Sequence, residues 1–150
     1  MDSSAAAVAL LDTTVASFLH PKKAESNDRR LYTPHMVGKT PALSFQTVAE
    51  LFGWAERNRW GARQKLGLEE FLRSFLVLDS DIELSKVWAE VMEASRREGR
   101  RLESGDGWIA ASAVHYGIPL LTHDADFLGR SIPGLVVISH LHVGHPESSA

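Results

Sequence analysis

Residues 7 to 11 read AVALL, an unbroken apolar run that stops on an aspartate, Asp12. A run this short with no polar alternation is the mark of a strand covered on both faces, as in the interior of a parallel sheet. Similar runs return as PALSF, FLVL, IPLLT and LVVIS, which predicts about five strands. Between them the apolar residues change to helical spacing. TTVASFLH reads as a short helix after the first strand, and Val48, Leu51, Phe52 and Ala55 mark a helix ending near Gly61. Leu68, Phe71, Leu72 and Phe75 mark another, and Ser80 is placed to cap a long helix striped by Leu84, Val87, Trp88, Val91 and Met92, with Gly99 at its end. Ser104 or Gly105 opens a further helix with Ile109, Ala110, Ala113 and Val114 inward, closed by Gly117. The stretch from Pro21 to Pro41 is expected to be a loop with one helical turn, and DADFLGR a loop or short turn. Strands alternating with helices imply an α/β fold: three layers, α/β/α, around a mostly parallel central sheet, with right-handed crossovers.

Composition bounds the rest. The 150 residues fit one domain spanning 1–150, with a core at about 7–139 and a polar tail at about 140–150. A chain of this length buries roughly 70% of its unfolded surface, so it can fold without disulfides or structural zinc. It contains no cysteine, which excludes thiolate chemistry and points to a reducing compartment, the cytoplasm. The start MDSSAAAVALL lacks a basic leader and is too short to cross a bilayer, so it reads as mature protein with no membrane role. A net charge of −3 excludes binding of polyanions by bulk charge. Nucleic-acid contacts would have to be local. Basic residues cluster at Lys22 and Lys23, at Arg29 and Arg30, at Arg57, Arg59 and Arg63, and at Arg96, Arg97, Arg100 and Arg101, where solvated helix faces and helix C-termini account for most of them.

The chemistry lies in the acids. In open α/β sheets ligands bind beyond the carboxyl ends of the strands. Asp12 and Asp124 each follow a strand, whereas Glu50 and Asp106 are expected in the first turns of helices, so all four can project toward one rim. Converging carboxylates repel unless a cation or protons intervene, and hard oxygen donors without Cys or clustered His favour magnesium or manganese over zinc. Phosphodiester hydrolysis assisted by a divalent ion is the natural reaction class.

Four segments carry a family likeness: ALLDTTVASFL, SFQTVAELFGWA, DGWIAASAVHYGIPLLTHDADF and IPGLVVI. Together they resemble the PIN domains of VapC toxins, over most of residues 7 to 139. The resemblance implies a ribonuclease toxin that hydrolyses RNA, holds magnesium or manganese through four acids, is inhibited by a VapB-like antitoxin and works as a homodimer. Motif by motif, those acids fall on Asp12, Glu50, Asp106 and Asp124, with Asp126 as an auxiliary metal ligand. Thr13 and Thr122 fall on hydroxyl residues able to hydrogen-bond a ligand carboxylate. Two positions depart from the family: Thr14 stands where Asn is common after the Asp-Thr pair, and Gly107 where Ala is common, which should loosen the first turn of its helix.

Structural readings compete at each position. Thr47 and Glu50 fit a capping box, Asp106 could simply favour the positive end of its helix by roughly 0.3–1 kcal/mol, and Asp124 and Asp126 sit where turns favour Asp. Asp12 resists such a reading, because a carboxylate ending a buried strand is costly unless it is paired or bonded. His140, His142 and His145 read as a solvated tail rather than a zinc site. Of Trp54, Trp60, Trp88 and Trp108, only Trp60, near Arg59 and Arg63, is a candidate for stacking on bases. Two rival functions remain open: a non-catalytic PIN-like module binding RNA or protein, and an aspartyl-phosphate phosphatase. The latter normally has a second Asp two positions after the first, where this chain has Thr14.

Overall fold

In the computed structural model, which describes residues 7–23 and 26–141, the run that ends on Asp12 is the central strand of the sheet. This strand, β1 (Val8–Leu11), has β2 (Thr40–Ser44) on one side, followed by β3 (Leu76–Leu78). On its other side lie β4 (Leu120–Leu121) and then β5 (Val137–Ile138). All four pairings are parallel, with Leu10 beside Ala42 and Leu120, and Leu11 beside Leu43 and Leu121. Parallel strands buried on both faces have no use for polar alternation, which is why the runs are apolar throughout.

Successive side chains of β1 serve opposite layers. Leu10, Ala42 and Leu120 pack against α5 (Ile82–Arg97) and α6 (Ser104–Tyr116) through Leu84, Val91, Met92, Ile109 and Ala113. Ala9, Leu11, Leu43 and Leu121 pack against four helices on the other face: α1 (Thr13–Phe18), α2 (Asn27–Tyr32), α3 (Phe45–Arg57) and α4 (Ala62–Leu72). Leu10, Leu11, Leu43, Leu120 and Leu121 are wholly inaccessible, and burying each such side chain contributes roughly 1.5–3 kcal/mol. The three-layer α/β/α expectation therefore holds. Among the described residues no helix is long and apolar enough to cross a membrane.

Several local expectations are corrected. The stretch between Pro21 and Pro41 holds more than one turn: α2 is followed directly by a 3₁₀ turn, Thr33–Met36. Ser26 supplies the start signal by accepting from the Arg29 N–H, and Tyr32 anchors the segment to the core at 0% exposure. The third helix ends at Arg57, and Gly61 instead precedes α4. The cap of α5 is Asp81, one residue past Ser80, with its carboxylate accepting from Leu84 N at 2.7 Å. His140 is not part of a solvated tail, since its N–H donates to Tyr32 Oη at 3.0 Å and its Nε2 lies 2.6 Å from His35 Nε2. His142 and His145 lie outside the described residues.

Gly107 has a packing role that its helix propensity conceals. A Cβ built there would stand 2.9 Å from Trp88 Nε1 and collide with Met92 Sδ. The Trp88 indole cannot easily retreat, because its N–H donates to Ser104 O at 3.1 Å and its ring stacks on Trp108 at 5.2 Å. Gly107→Ala, stabilising on propensity alone by up to about 1 kcal/mol, is therefore expected to destabilise by about 1–3 kcal/mol through overpacking. Urea denaturation of the two proteins decides the sign.

Candidate active site

The sheet changes direction of growth at β1: the chain proceeds outward to β2 and β3, then returns to the opposite side for β4 and β5. Such a switch point opens a crevice beyond the carboxyl ends of the two strands that flank it, here β1 and β4. Asp12 follows β1 immediately, and Thr122, His123 and Asp124 follow β4.

Asp12 is 2% exposed and fully engaged. Its Oδ1 accepts from Val15 N at 2.7 Å, capping α1, while its Oδ2 accepts from the Thr122 hydroxyl and from His123 N at 3.3 Å. Burial raises its pKa above the usual carboxylate value; the hydrogen bonds from Thr122, Val15 and His123 oppose that rise, and the Asp124 charge adds to it. Thr122 ties the two acids together, since its hydroxyl also accepts from Asp124 N at 3.0 Å.

Glu50 enters from α3, though not as the sequence suggested. Ser44 caps this helix by accepting from Gln46 N at 3.1 Å, so the capping box with Thr47 does not form and Glu50 lies in the second turn. Thr47 is instead wholly buried, with Oγ1 at 3.1 Å from Thr13 Oγ1. The Thr13 hydroxyl donates to Glu50 Oε2. Having one proton, Thr13 must then accept from Thr47, so a chain of two hydroxyls orients the Glu50 carboxylate.

Asp106 sits in the first turn of α6, and Asp124 caps a 3₁₀ turn, Ala125–Phe127, through Asp126 N at 2.9 Å. Carboxylate oxygens of Asp106, Asp124 and Asp126 all lie within 4.8 Å of one another. Asp126, read from sequence as auxiliary, is thus in the tightest group, while both oxygens of Asp12 are held by protein donors. Gly105, read from sequence only as a possible helix start, has a packing role that the sequence reading missed. A Cβ there would meet Gln46 Nε2 at 2.7 Å and Glu50 Oε1 at 3.6 Å, so its absence lets the start of α6 close on α3 and brings Glu50 toward Asp106. The signal was the Gly-Asp-Gly sequence at a helix start, where two poor helix formers flank the acid.

The electrostatics follow from this crowding. Burial, then the charges of Asp124, Glu50, Asp126 and Glu103, push the Asp106 pKa up to about 7. A helix N-terminus favours a carboxylate by only ~0.3–1 kcal/mol, and here it is outweighed. An all-oxygen donor set whose crowding raises the proton affinity of Asp106 is suited to a hard divalent cation, which relieves the repulsion. Trp60 does not stand free for bases: it packs on Trp54 at 5.2 Å and His20 at 5.9 Å, and Lys22 Nζ sits 4.4 Å from its ring centroid.

A parallel α/β sheet with acids gathered at its switch point defines a class, and comparison with known proteins identifies it. Residues 9–130 match the PIN domain family model, and the chain belongs to the PIN-domain family. Among its relatives, it is 31% identical over 122 residues to VapC ribonuclease Y4jK of Sinorhizobium fredii, covering 77% of this chain and 86% of that protein. It is 33% identical over 78 residues to ribonuclease VapC4 of Mycobacterium tuberculosis, a match spanning 52% of this chain and 58% of that relative. In fold it is similar to a chain of the VapBC2 complex of Rickettsia felis bound to a promoter DNA fragment, with a TM-score of 0.73 at 19% identity, covering 88% of this chain and 98% of that one.

A pH dependence follows from Asp106. With a folded-state pKa raised from 3.8 to about 7, its contribution to stability is complete below 3.8 and is lost as pH rises through about 7. In chelator, Asp106→Asn is therefore expected to melt higher than the parent at alkaline pH, with the advantage shrinking on acidification. Thermal denaturation of both proteins across pH measures it.

Proposed function

We propose that this chain is an endoribonuclease that hydrolyses RNA phosphodiester bonds with the aid of magnesium or manganese, acting as a toxin restrained by a VapB-like antitoxin. The observation that carries the reading is the convergence of Asp106, Asp124 and Asp126 within 4.8 Å at the switch point, next to the buried Asp12 and the oriented Glu50. Membership of the PIN-domain family and likeness to proteins named as ribonucleases support the choice of RNA. A homodimer is the working form that the family resemblance implies.

In this reading Asp106, Asp124 and Asp126 would hold the cation, and Glu50 and Asp12 complete its negative surroundings. When bound, a divalent ion neutralises charge on the phosphate and lowers the pKa of a nearby water. The protein's own work is preorganisation. The Thr47–Thr13 chain fixes Glu50, Thr122 locks Asp12 to the segment that carries Asp124, and burial at the base of the crevice strengthens the attraction of an ionised carboxylate for a cation. Single-stranded or looped RNA suits the site, because its unstacked nucleotides can splay out and enter an acidic crevice. An aspartyl-phosphate mechanism fits less well, since Asp12 is 2% exposed and both of its oxygens already accept hydrogen bonds from the protein.

Asp106→Asn and Asp12→Asn are expected to abolish cleavage of single-stranded RNA, with a loss larger than the ~10–100-fold typical of disturbing an outer partner of a metal ligand. Circular dichroism at about 25 °C should remain native for Asp106→Asn; Asp12→Asn keeps the α1 cap but turns an amide N–H₂ toward the His123 N–H, and is expected to stay folded with a loss of about 1–3 kcal/mol. Chelation should silence the parent protein and added manganese restore it. Full activity in either variant overturns the proposal, and loss of RNA cleavage without loss of RNA binding in the parent would favour the non-catalytic module.

A further inference from the structure

Three carboxylates held within 4.8 Å push one another apart, and two of them belong to a single 3₁₀ turn, Ala125–Phe127, and its cap Asp124. Its internal bonds, Phe127 N to Asp124 O at 3.2 Å and Leu128 N to Ala125 O at 3.0 Å, shape the turn without attaching it to the helix that carries Asp106. That attachment is made elsewhere, by two arginines that none of the catalytic chemistry above employs.

Arg130 Nε donates to the Asp126 carbonyl at 2.7 Å, and its Nη1 donates to Glu98 Oε2 at 3.0 Å and to the Arg100 carbonyl. Arg100 answers in the opposite direction, with Nη1 donating to the Leu128 carbonyl at 2.8 Å. Glu98 closes the frame, its Oε1 accepting from Ser131 N at 2.8 Å. The ion pair is largely removed from water, with side-chain exposures of 4% for Arg130 and 13% for Glu98. The two strips of chain so joined are 98–103, which runs directly into α6 and Asp106, and 125–131, which follows Asp124. The first strip leads into Asp106, and the second contains Asp126 and begins directly after Asp124.

We infer that the Glu98–Arg130 pair, with Arg100, is a positioning device for the acidic group, holding Asp124 and Asp126 against Asp106 despite their repulsion and so setting the affinity for a divalent cation. The inference rests on reading that group as a cation site. A buried guanidinium that reaches three acceptors through two of its nitrogens suits the task, because it fixes direction as well as distance. Lysine would keep the charge of Arg130 and lose the fork.

The test uses the full chain and Mn²⁺ alone, followed by electron paramagnetic resonance, with urea denaturation in chelator as a separate measure of folding. Glu98→Gln and Arg130→Gln are expected to weaken Mn²⁺ binding by about 10-fold or more while the folded protein persists, the range in which outer partners of metal ligands act. Arg130→Lys should recover part of that loss. If the buried variants do not fold, Arg100→Gln, at an exposed side chain, is expected to weaken binding in the same direction. Variants that fold less stably but bind Mn²⁺ as the parent does overturn the inference and leave the cation site standing. A parent protein that binds no Mn²⁺ overturns the site itself.

Discussion

A single buried carboxylate organises this molecule. Asp12 ends the central strand with almost no access to water, and its two oxygens are met by three donors drawn from both sides of the crevice: Val15 N, the Thr122 hydroxyl and His123 N. Withdrawing the carboxylate would leave these donors without their acceptor in the interior, at about 1–3 kcal/mol for each one left unsatisfied. The bonds therefore fix the start of α1, the end of β4 and the approach of the Asp124 segment in one arrangement. Tyr32 extends it: its hydroxyl donates to Thr122 O at 2.9 Å, lies 2.7 Å from His123 Nδ1 and accepts from His140 N, so the first and last described segments share one support.

Around that pivot the fold tolerates a local conflict. Ordinary packing would disperse like charges, yet Asp106, Asp124 and Asp126 converge and Glu50 leans toward them. The cost is carried by rigid neighbours: hydroxyls on the α3 side, and the Glu98, Arg130 and Arg100 frame on the α5 side. Sites in which local stability yields to function are expected where such rules are broken.

How much of this the sequence disclosed depended on whether the cause was local. The five strands and the inward faces of α3 to α6 were legible because apolar periodicity reports burial directly. Asp12 stood out for the same reason, as a charge where periodicity demanded none. Thr47 and Glu50 misled because a capping box is a spacing rule, and Ser44, three residues earlier, satisfied the helix start first. α2 was hidden among charges and prolines, its stability coming from Tyr32 inserted into a core assembled by distant segments. Gly107 looked like a weak point because propensity says nothing of Trp88 and Met92 on another helix. The short contacts of Asp126 were invisible, since a turn rich in Asp has the same composition whether or not its carboxylates meet a third acid.

The strand order has a consequence for how the protein comes into being. Asp12 and Glu50 belong to the half of the sheet that grows toward β3, whereas Asp106, Asp124 and Asp126 come later in the chain, with α6 and the turn after β4. Until β4 docks against β1, Asp12 lacks Thr122 and the crevice has only one wall. A chain folded only as far as β3 therefore carries no gathered acids, and the site exists only once both halves of the sheet have joined.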